Sequence, residues 1–439
     1  MLRKLRIAAA VVCFALVTLL FLDFTGTLHA WFGWLARIQF LPALLAVNVG
    51  VVLALVALTL LFGRVYCSVI CPLGVMQDIV SWASGKRRKH RNRFAYSPAL
   101  TWLRRGMLVV FVAAMLAGVG SLLAPYSAYG RIASNLLAPV YAWGNNLLAY
   151  IAGRMDSYAF YSVDVWMKSL STLLVAVVTF AVLFVLAWRS GRTYCNTICP
   201  VGTVLGFLAR YSLFKPRFDT SKCNGCKLCA RNCKASCIDP AAHKIDYSRC
   251  VACMDCLENC RQGAITYTLR RRKPDPAPAP QRPAADAAKT PSDASRRRFL
   301  GLAGIVAYSA LRAQEKKVDG GLAVIVDKKI PNRATPVVPP GAQSLRHFNA
   351  HCTGCQLCVS VCPNQVLRPS GKLMTLMQPE MSFERGYCRP ECTKCAEVCP
   401  TGAIRLTDLA GKSSIQIGHA VWIAENCEVN TDGVSCNNC

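Results

Sequence analysis

The feature that most constrains this chain is the spacing of its cysteines. Of its 25 cysteines, most fall in short runs of the form C-x2-C-x2-C-x3-C. A loop with that spacing curls around a metal cluster, whereas a disulfide between distant strands needs no such regularity. Cys223, Cys226, Cys229 and Cys233 form one run, and Cys250, Cys253, Cys256 and Cys260 repeat it. Cys352, Cys355, Cys358 and Cys362 form a third. Cys388, Cys392, Cys395 and Cys399 form a variant with one extra residue after the first cysteine. In paired runs, the first three thiolates hold one cubane and the fourth, on a following helix, reaches the other. Crossed ligation therefore assigns Cys223, Cys226, Cys229 and Cys260 to one cluster, and Cys250, Cys253, Cys256 and Cys233 to a second. It assigns Cys352, Cys355, Cys358 and Cys399 to a third, and Cys388, Cys392, Cys395 and Cys362 to a fourth. Structural zinc is the bland alternative, but zinc sites need fewer and differently grouped thiols. Cluster assembly places synthesis of the chain in a reducing compartment.

The remaining cysteines are less regular. Proline follows Cys362 and Cys399, but Lys234 and Arg261 follow Cys233 and Cys260. Those two cations are expected to favour the reduced state of nearby clusters. Cys237 is an extra thiol that could displace Cys233 as a ligand. Cys427, Cys436 and Cys439 look like the opening of a further metal-binding run, without the ligands that would complete it. Cys13 reads as a small inert hydrophobe. His351 reads as a loop residue rather than a proton carrier or metal ligand.

Composition places the first half of the chain in a bilayer. The chain is 53% hydrophobic and only 17% charged. Four apolar stretches, 7–22, 41–62, 107–123 and 169–188, approach the roughly 17–25 residues that a helix needs to cross a hydrocarbon core. The first and third need their flanking residues to complete the span. Arg3, Lys4 and Arg6 precede the first stretch, a basic group from Lys86 to Arg93 lies between the second and third, and Arg189, Arg192, Arg210, Lys215 and Arg217 follow the fourth. With four crossings all three groups share one side, which the positive-inside rule makes cytoplasmic. The net charge of +28 is read in the same way, and not as a nucleic-acid footprint. The segments on the other face carry Trp31, Trp34, Tyr126, Tyr129, Tyr141 and Trp143. These read first as interfacial belts and second as the lining of a lipid or quinone pocket.

The helical part contains a repeat. Gly63-Arg64-Val65-Tyr66-Cys67-Ser68-Val69-Ile70-Cys71-Pro72-Leu73-Gly74 matches Gly191-Arg192-Thr193-Tyr194-Cys195-Asn196-Thr197-Ile198-Cys199-Pro200-Val201-Gly202. Each copy follows the second helix of a pair, at the expected cytoplasmic interface. A two-fold arrangement of hairpins would bring Cys67, Cys71, Cys195 and Cys199 together, the right number and type of ligands for a fifth [4Fe-4S] cluster. Two local disulfides, or reduced thiols that merely pack, are the alternatives. Further on, residues 270–294 are rich in Pro and Ala and read as an extended linker. Ser295-Arg296-Arg297-Arg298-Phe299-Leu300 and the short apolar stretch after it have the form of a twin-arginine export signal, here internal. An ordinary short anchor is the alternative. If the signal operates, the region after it faces the periplasm.

The expected architecture is a membrane all-α four-helix unit with a two-hairpin internal repeat over 1–215, followed by ferredoxin-like (α+β) 2[4Fe-4S] domains. The first of these, at 216–269, is cytoplasmic. A linker at 270–294 and a signal or anchor helix at 295–312 lead to a periplasmic polyferredoxin-like domain at 313–439, which looks incomplete.

On these residues, 1–269 resembles the NapH family of quinol dehydrogenase membrane components, relatives of NosR-type and CcoG-type membrane ferredoxins. Cys67, Cys71-Pro72, Cys195 and Cys199-Pro200 match its membrane motifs, and Cys223 to Cys260 its ferredoxin part. Residues 295–439 resemble the NapG or MauM group of twin-arginine-exported periplasmic ferredoxins. The whole looks like a fusion of the two. The resemblance implies electron transfer from the membrane quinol pool, with quinol as diffusible substrate, to a periplasmic reductase, and no substrate chemistry on this chain. The sequence holds no nucleophile–base pair, no haem-binding C-x-x-C-H and no dinucleotide fingerprint. Two other classes stay open: a metal-handling or assembly factor of the CcoG type, and a structural anchor for a periplasmic reductase. One physical difficulty follows, because clusters on the two faces would be separated by a membrane core about 30 Å thick.

Overall fold

A computed structural model describes residues 1–86, 94–118, 122–269, 335–372, 375–384 and 386–417, with parts of 422–435. All of these lie in a compact unit made of Met1–Arg271 and Arg333–Cys439. The linker, the twin-arginine motif, its apolar stretch, Cys436 and Cys439 lie outside the described residues.

Two helices, Leu2–Leu22 and Leu170–Ser190, are long and apolar enough to cross a membrane. The other two expected spans take a different form. The 41–62 stretch is divided into Phe40–Leu45 and Val49–Phe62. The break falls where Val47 turns to φ +54 and the Asn48 side chain caps the new helix by accepting from Val51 N at 3.3 Å, the usual role of Asn at that position. The third helix is Thr101–Leu116, which starts earlier than the 107–123 apolar stretch. It begins early because Arg104 on its first turn is buried, donating to Ser248 Oγ at 3.1 Å. It ends before Gly118 at φ +76.

Each copy of the repeat folds into a bent helical pair: Val65–Val69 with Pro72–Gly85, and Thr193–Thr197 with Pro200–Ala209. Proline opens the second helix of each pair, where its missing N–H costs nothing. The motif's two glycines have separate reasons. Gly63 and Gly191 turn the chain at φ +76 and +67, a conformation that suits glycine. At Gly74 and Gly202 a Cβ would press on the carbonyl oxygens of Cys67 and Cys195, and on Arg192 and Arg64 respectively.

Both pairs are buried within the protein around their cysteines. Arg6, on the first long helix, donates to Ser68 O at 3.5 Å and Asp78 Oδ2 at 3.1 Å. Gln39, just before the Phe40–Leu45 helix, donates through Nε2 to Ile70 O at 3.4 Å. Tyr66 Oη donates to Gln39 Oε1 at 3.0 Å and accepts from Phe40 N at 3.1 Å, while its counterpart Tyr194 reaches Leu123 O at 3.5 Å. These segments therefore fold inward, and Pro125–Ile132 is buried at every residue. Tyr126 and Tyr129 belong to that core at 2% and 1% exposure, unlike Trp31 at 78% and Trp143 at 62%. Of the six aromatics, Tyr126 and Tyr129 are core, while Trp31, Trp34, Tyr141 and Trp143 are exposed.

Residues 214–269 form a small α+β domain. β1 (Phe214–Phe218) pairs antiparallel with β4 (Ile265–Leu269), with Phe214 opposite Leu269, and β2 (Ile238–Asp239) pairs with β3 (Lys244–Ile245). It docks at the start of the first long helix. Arg3 binds Asp255 at 2.8 Å and Glu258 at 2.5 Å. Lys234 bridges Asp255 at 3.0 Å and Asp78 at 3.5 Å. Its charge is thereby neutralised, so the residue that replaces proline after Cys233 serves docking first. Burial alone would raise the Asp255 carboxyl pKa, but Lys234 and Arg3 beside it hold it below the usual range.

Residues 335–417 form the second such domain, with β5 (Leu367–Pro369) antiparallel to β6 (Pro379–Met381). It docks at the other end of the same helix. Lys394 Nζ donates to Thr25 O at 2.9 Å, Arg37 to Glu397 O at 2.8 Å, and Asn135 to Gln356 Oε1 at 2.9 Å. A Cβ on Gly130 would press on the Cys355 carbonyl and the Phe21 ring.

Gly74→Ala and Gly202→Ala should each destabilise the fold by about 1–3 kcal/mol through overpacking. Gly153→Ala, with nothing within 4 Å of the new methyl, should leave thermal unfolding in detergent unchanged.

Candidate metal centres

The repeat brings its four cysteines into one buried group. Cys67, Cys71, Cys195 and Cys199 are between 5% and 6% exposed, and all four thiols are free. Cys71 has Cys67 and Cys195 as neighbours, and Cys199 has all three others. Gly202 N donates to Cys199 Sγ at 3.3 Å, Gly74 N serves Cys71 in the same way, and Gln77 Nε2 lies 3.3 Å from Cys195 Sγ.

Two arginines cross between the copies. Arg192 donates to Cys67 O at 2.7 Å, with its Nη1 3.8 Å from Cys195 Sγ. Arg64 donates to Cys195 O at 3.1 Å, with its Nη2 3.8 Å from Cys67 Sγ. Both side chains are wholly buried. Asp78 neutralises Arg192 at 2.8 Å. In the second copy the place of Asp78 is taken by Gly206, and Arg64 has no carboxylate partner among the described residues. It donates instead to Asn196 Oδ1 at 2.9 Å and Ser248 O at 3.2 Å. A buried cation without a counter-ion costs several kcal/mol, and four neutral thiols would not supply one. Four thiolates around a cluster carry net negative charge, so the donor set and its surroundings fit an iron–sulfur group. These arginines stand in the repeated Gly-Arg-x-Tyr-Cys sequence, and their recurrence was the available signal. Gln77 and Asp78 have no counterpart in the second copy and left no such signal.

In the 214–269 domain, Cys223, Cys226, Cys229 and Cys260 line one cavity. Cys233, Cys237, Cys250, Cys253 and Cys256 line another. In the second domain, Cys358 has Cys355, Cys352 and Cys399 as its nearest charged neighbours, and Cys395 has Cys388, Cys362 and Cys392. Burial pushes the Cys355 thiol up to about 11 and Cys395 to about 12. Neither would ionise at neutral pH without a bound cation. Lys412, which the sequence did not single out, is buried against this group and donates to Cys388 Sγ at 3.4 Å and Arg389 O at 2.6 Å.

Cys427 is half-buried, while Cys13 lies within the first long helix. His351 Nδ1 lies 2.9 Å from His347 O, and its ring stacks on that of His347.

Comparison with known proteins agrees with this chemistry. Residues 44–90 and 172–221, which contain the four-cysteine group, match a family model described as a 4Fe-4S binding domain. Residues 351–403 match a 4Fe-4S dicluster domain. The chain is 25% identical over 245 residues to an uncharacterized protein of Methanocaldococcus jannaschii, covering 56% of this chain and 80% of that one. It is 32% identical over 127 residues to the methylamine utilization ferredoxin-type protein MauM of Methylophilus methylotrophus, covering 26% and 52%. It is 28% identical over 205 residues to the methylamine utilization ferredoxin-type protein MauN of Paracoccus denitrificans, covering 46% and 57%. The chain thus spans only about half the length of these two ferredoxin-type relatives. No solved structure matches it. The chain thus contains ferredoxin-type 4Fe-4S domains.

Cys→Ser at Cys67, Cys71, Cys195 or Cys199 should lower bound iron by up to four atoms per chain, equally in both copies, because neither pair can hold a cubane alone. Anaerobic metal analysis checks this. Loss of copper or zinc with iron unchanged would point instead to a metal-handling site.

Proposed function

We propose that the protein is membrane-bound and carries electrons from quinol, through its [4Fe-4S] clusters, to a periplasmic reductase. The observation that carries this reading is the placement of two ferredoxin-type domains at opposite ends of the Leu2–Leu22 helix. A helix of 21 residues is about 30 Å long, the thickness of a hydrocarbon core. The flanks of the helical unit support the same reading. Val11, Val12, Leu53, Val109, Val110, Leu174 and Val178 are exposed on successive helices, an apolar band of the kind that lipid covers.

On this reading the four-cysteine group is the step between the two ferredoxin-type domains. Arg64 neighbours Cys67 and Cys195 and also Cys250 of the first domain, and buried Arg131 neighbours Tyr194 and Cys355 of the second. These shared neighbours support a relay through the protein's own thiol groups. Quinol gives up two electrons and clusters accept them singly, which suits a relay. The fusion of a NapH-like part with a NapG- or MauM-like part gives the same picture. Twin-arginine export would place the second domain in the periplasm of a bacterial inner-membrane protein, beside its reductase.

Cys195→Ser should abolish quinol-driven reduction of the remaining clusters yet leave them reducible by dithionite, as read by redox-titrated EPR. Normal quinol-driven reduction with an unchanged iron count would remove the four-cysteine group from the path. Reporter fusions after Leu269 should read cytoplasmic and those after Gly341 periplasmic. Replacing Arg296 and Arg297 with lysine should block export of the last domain alone.

A further inference from the structure

We propose that Cys237 is a thiol hydrogen-bond donor to a cluster ligand, and not itself a ligand, and that it sets one cluster of the 223–260 domain apart from the other. The proposal rests on the assignment of two clusters to that domain.

Cys237 is 1% exposed, and its Sγ lies 3.6 Å from Cys233 Sγ. Both line the cavity shared with Cys250, Cys253 and Cys256, so five thiols surround a place for four. Ligand sulfurs at different corners of a cubane point away from one another, so two sulfurs this close cannot both occupy corners. One must ligate while the other remains beside it as S–H.

The other runs decide which. Cys233-Lys-Ala-Ser-Cys237-Ile238 aligns with Cys260-Arg-Gln-Gly-Ala264-Ile265, Cys399-Pro-Thr-Gly-Ala403-Ile404 and Cys362-Pro-Asn-Gln-Val366-Leu367. The fourth residue after the last cysteine is buried in every case. The next residue opens a strand in three of the four: β2 at Ile238, β4 at Ile265 and β5 at Leu367. Ala264 and Ile265 line the neighbouring cavity just as Cys237 and Ile238 line theirs. Cys237 therefore occupies a wall position that elsewhere holds Ala or Val, while Cys233 holds the ligand position. A thiol on that wall can donate to Cys233 Sγ, and Cys250 is also within its reach.

Hydrogen bonds to the sulfurs raise a cluster's reduction potential. This cavity is also the one that faces the helical unit, because Cys250 lies near Arg64 and Cys253 near Lys234. In the other cavity Cys226 is exposed. The Cys237 thiol thus favours the reduced state of the inner cluster, the one closest to the four-cysteine group.

The test uses the full-length protein, purified anaerobically. Cys237→Ala, which installs the residue found in two sister runs, should leave the iron content unchanged. It should also lower the potential of one EPR signal, about a fivefold fall in its reduced-to-oxidised ratio at fixed poise, from the loss of one hydrogen bond. Cys237→Ser, which keeps a donor, should fall in between. Cys233→Ala should lose iron. Loss of iron from Cys237→Ala, retention of iron by Cys233→Ala, or an unmoved potential in Cys237→Ala would each overturn the proposal. Retention of iron by Cys253→Ser would instead overturn the cluster assignment beneath it.

Discussion

Two arginines buried beside four cysteines set the terms for the rest of this structure. Each guanidinium is fixed by a carbonyl of the opposite copy, Arg64 to Cys195 and Arg192 to Cys67, so neither half of the repeat is complete without the other. The charge they bring must be balanced inside the protein. Asp78 balances Arg192. For Arg64 the ionisable neighbours among the described residues are the thiols of Cys67, Cys195 and Cys199, so anion binding and folding of this region are the same problem. Glycine at 74 and 202 is the steric condition for that crossing, since any side chain there would collide with the arginine and the carbonyl it serves.

The two-fold relation is broken where the first ferredoxin domain docks. Gly206 leaves open the space that Asp78 fills in the other copy, and Ser248 enters it, its carbonyl receiving Arg64 at 3.2 Å and Arg104 at 3.3 Å. A Cβ on Gly206 would press on that carbonyl. The missing carboxylate is therefore a docking socket. Lys234 closes the same interface from the other side, joining Asp78 of the helical unit to Asp255 of the domain. Pairs of this kind, partly withdrawn from solvent, fix orientation more than they add stability.

At the opposite end the contacts are of another type. Main-chain carbonyls of Thr25 and Glu397 receive Lys394 and Arg37, and the buried Pro125–Ile132 helix packs so closely on Cys355 that only glycine fits at 130. Close backbone approach brings one domain's thiols toward the core without any shared ligand. Together the two interfaces hold three groups of thiols in fixed relation within one chain, which a flexible tether would not achieve.

The cysteine runs by themselves determined the chemistry and the local fold. Their spacing dictates loops that wrap a cluster, and the alternation of loop, short helix and short strand follows from it. The repeat of Gly-Arg-x-Tyr-Cys-x-x-x-Cys-Pro-x-Gly likewise announced a pair of similar hairpins and which glycines they require. Apolar periodicity located the Leu2–Leu22 and Leu170–Ser190 helices, but it misjudged 41–62, because hydropathy does not register the Val47–Asn48 break. It also read Tyr126 and Tyr129 as surface belts, because an aromatic beside an apolar run has the same composition whether it faces lipid or core. Only the tertiary structure decided that Arg64 and Arg192 exchange partners across the repeat, that Lys234 is a docking residue, and that Cys237 lies on a cavity wall beside Cys233. The first two depend on which residue stands opposite after more than a hundred residues of chain have folded back, and the third on how the chain turns between Cys233 and Cys237; spacing along a sequence holds no record of either.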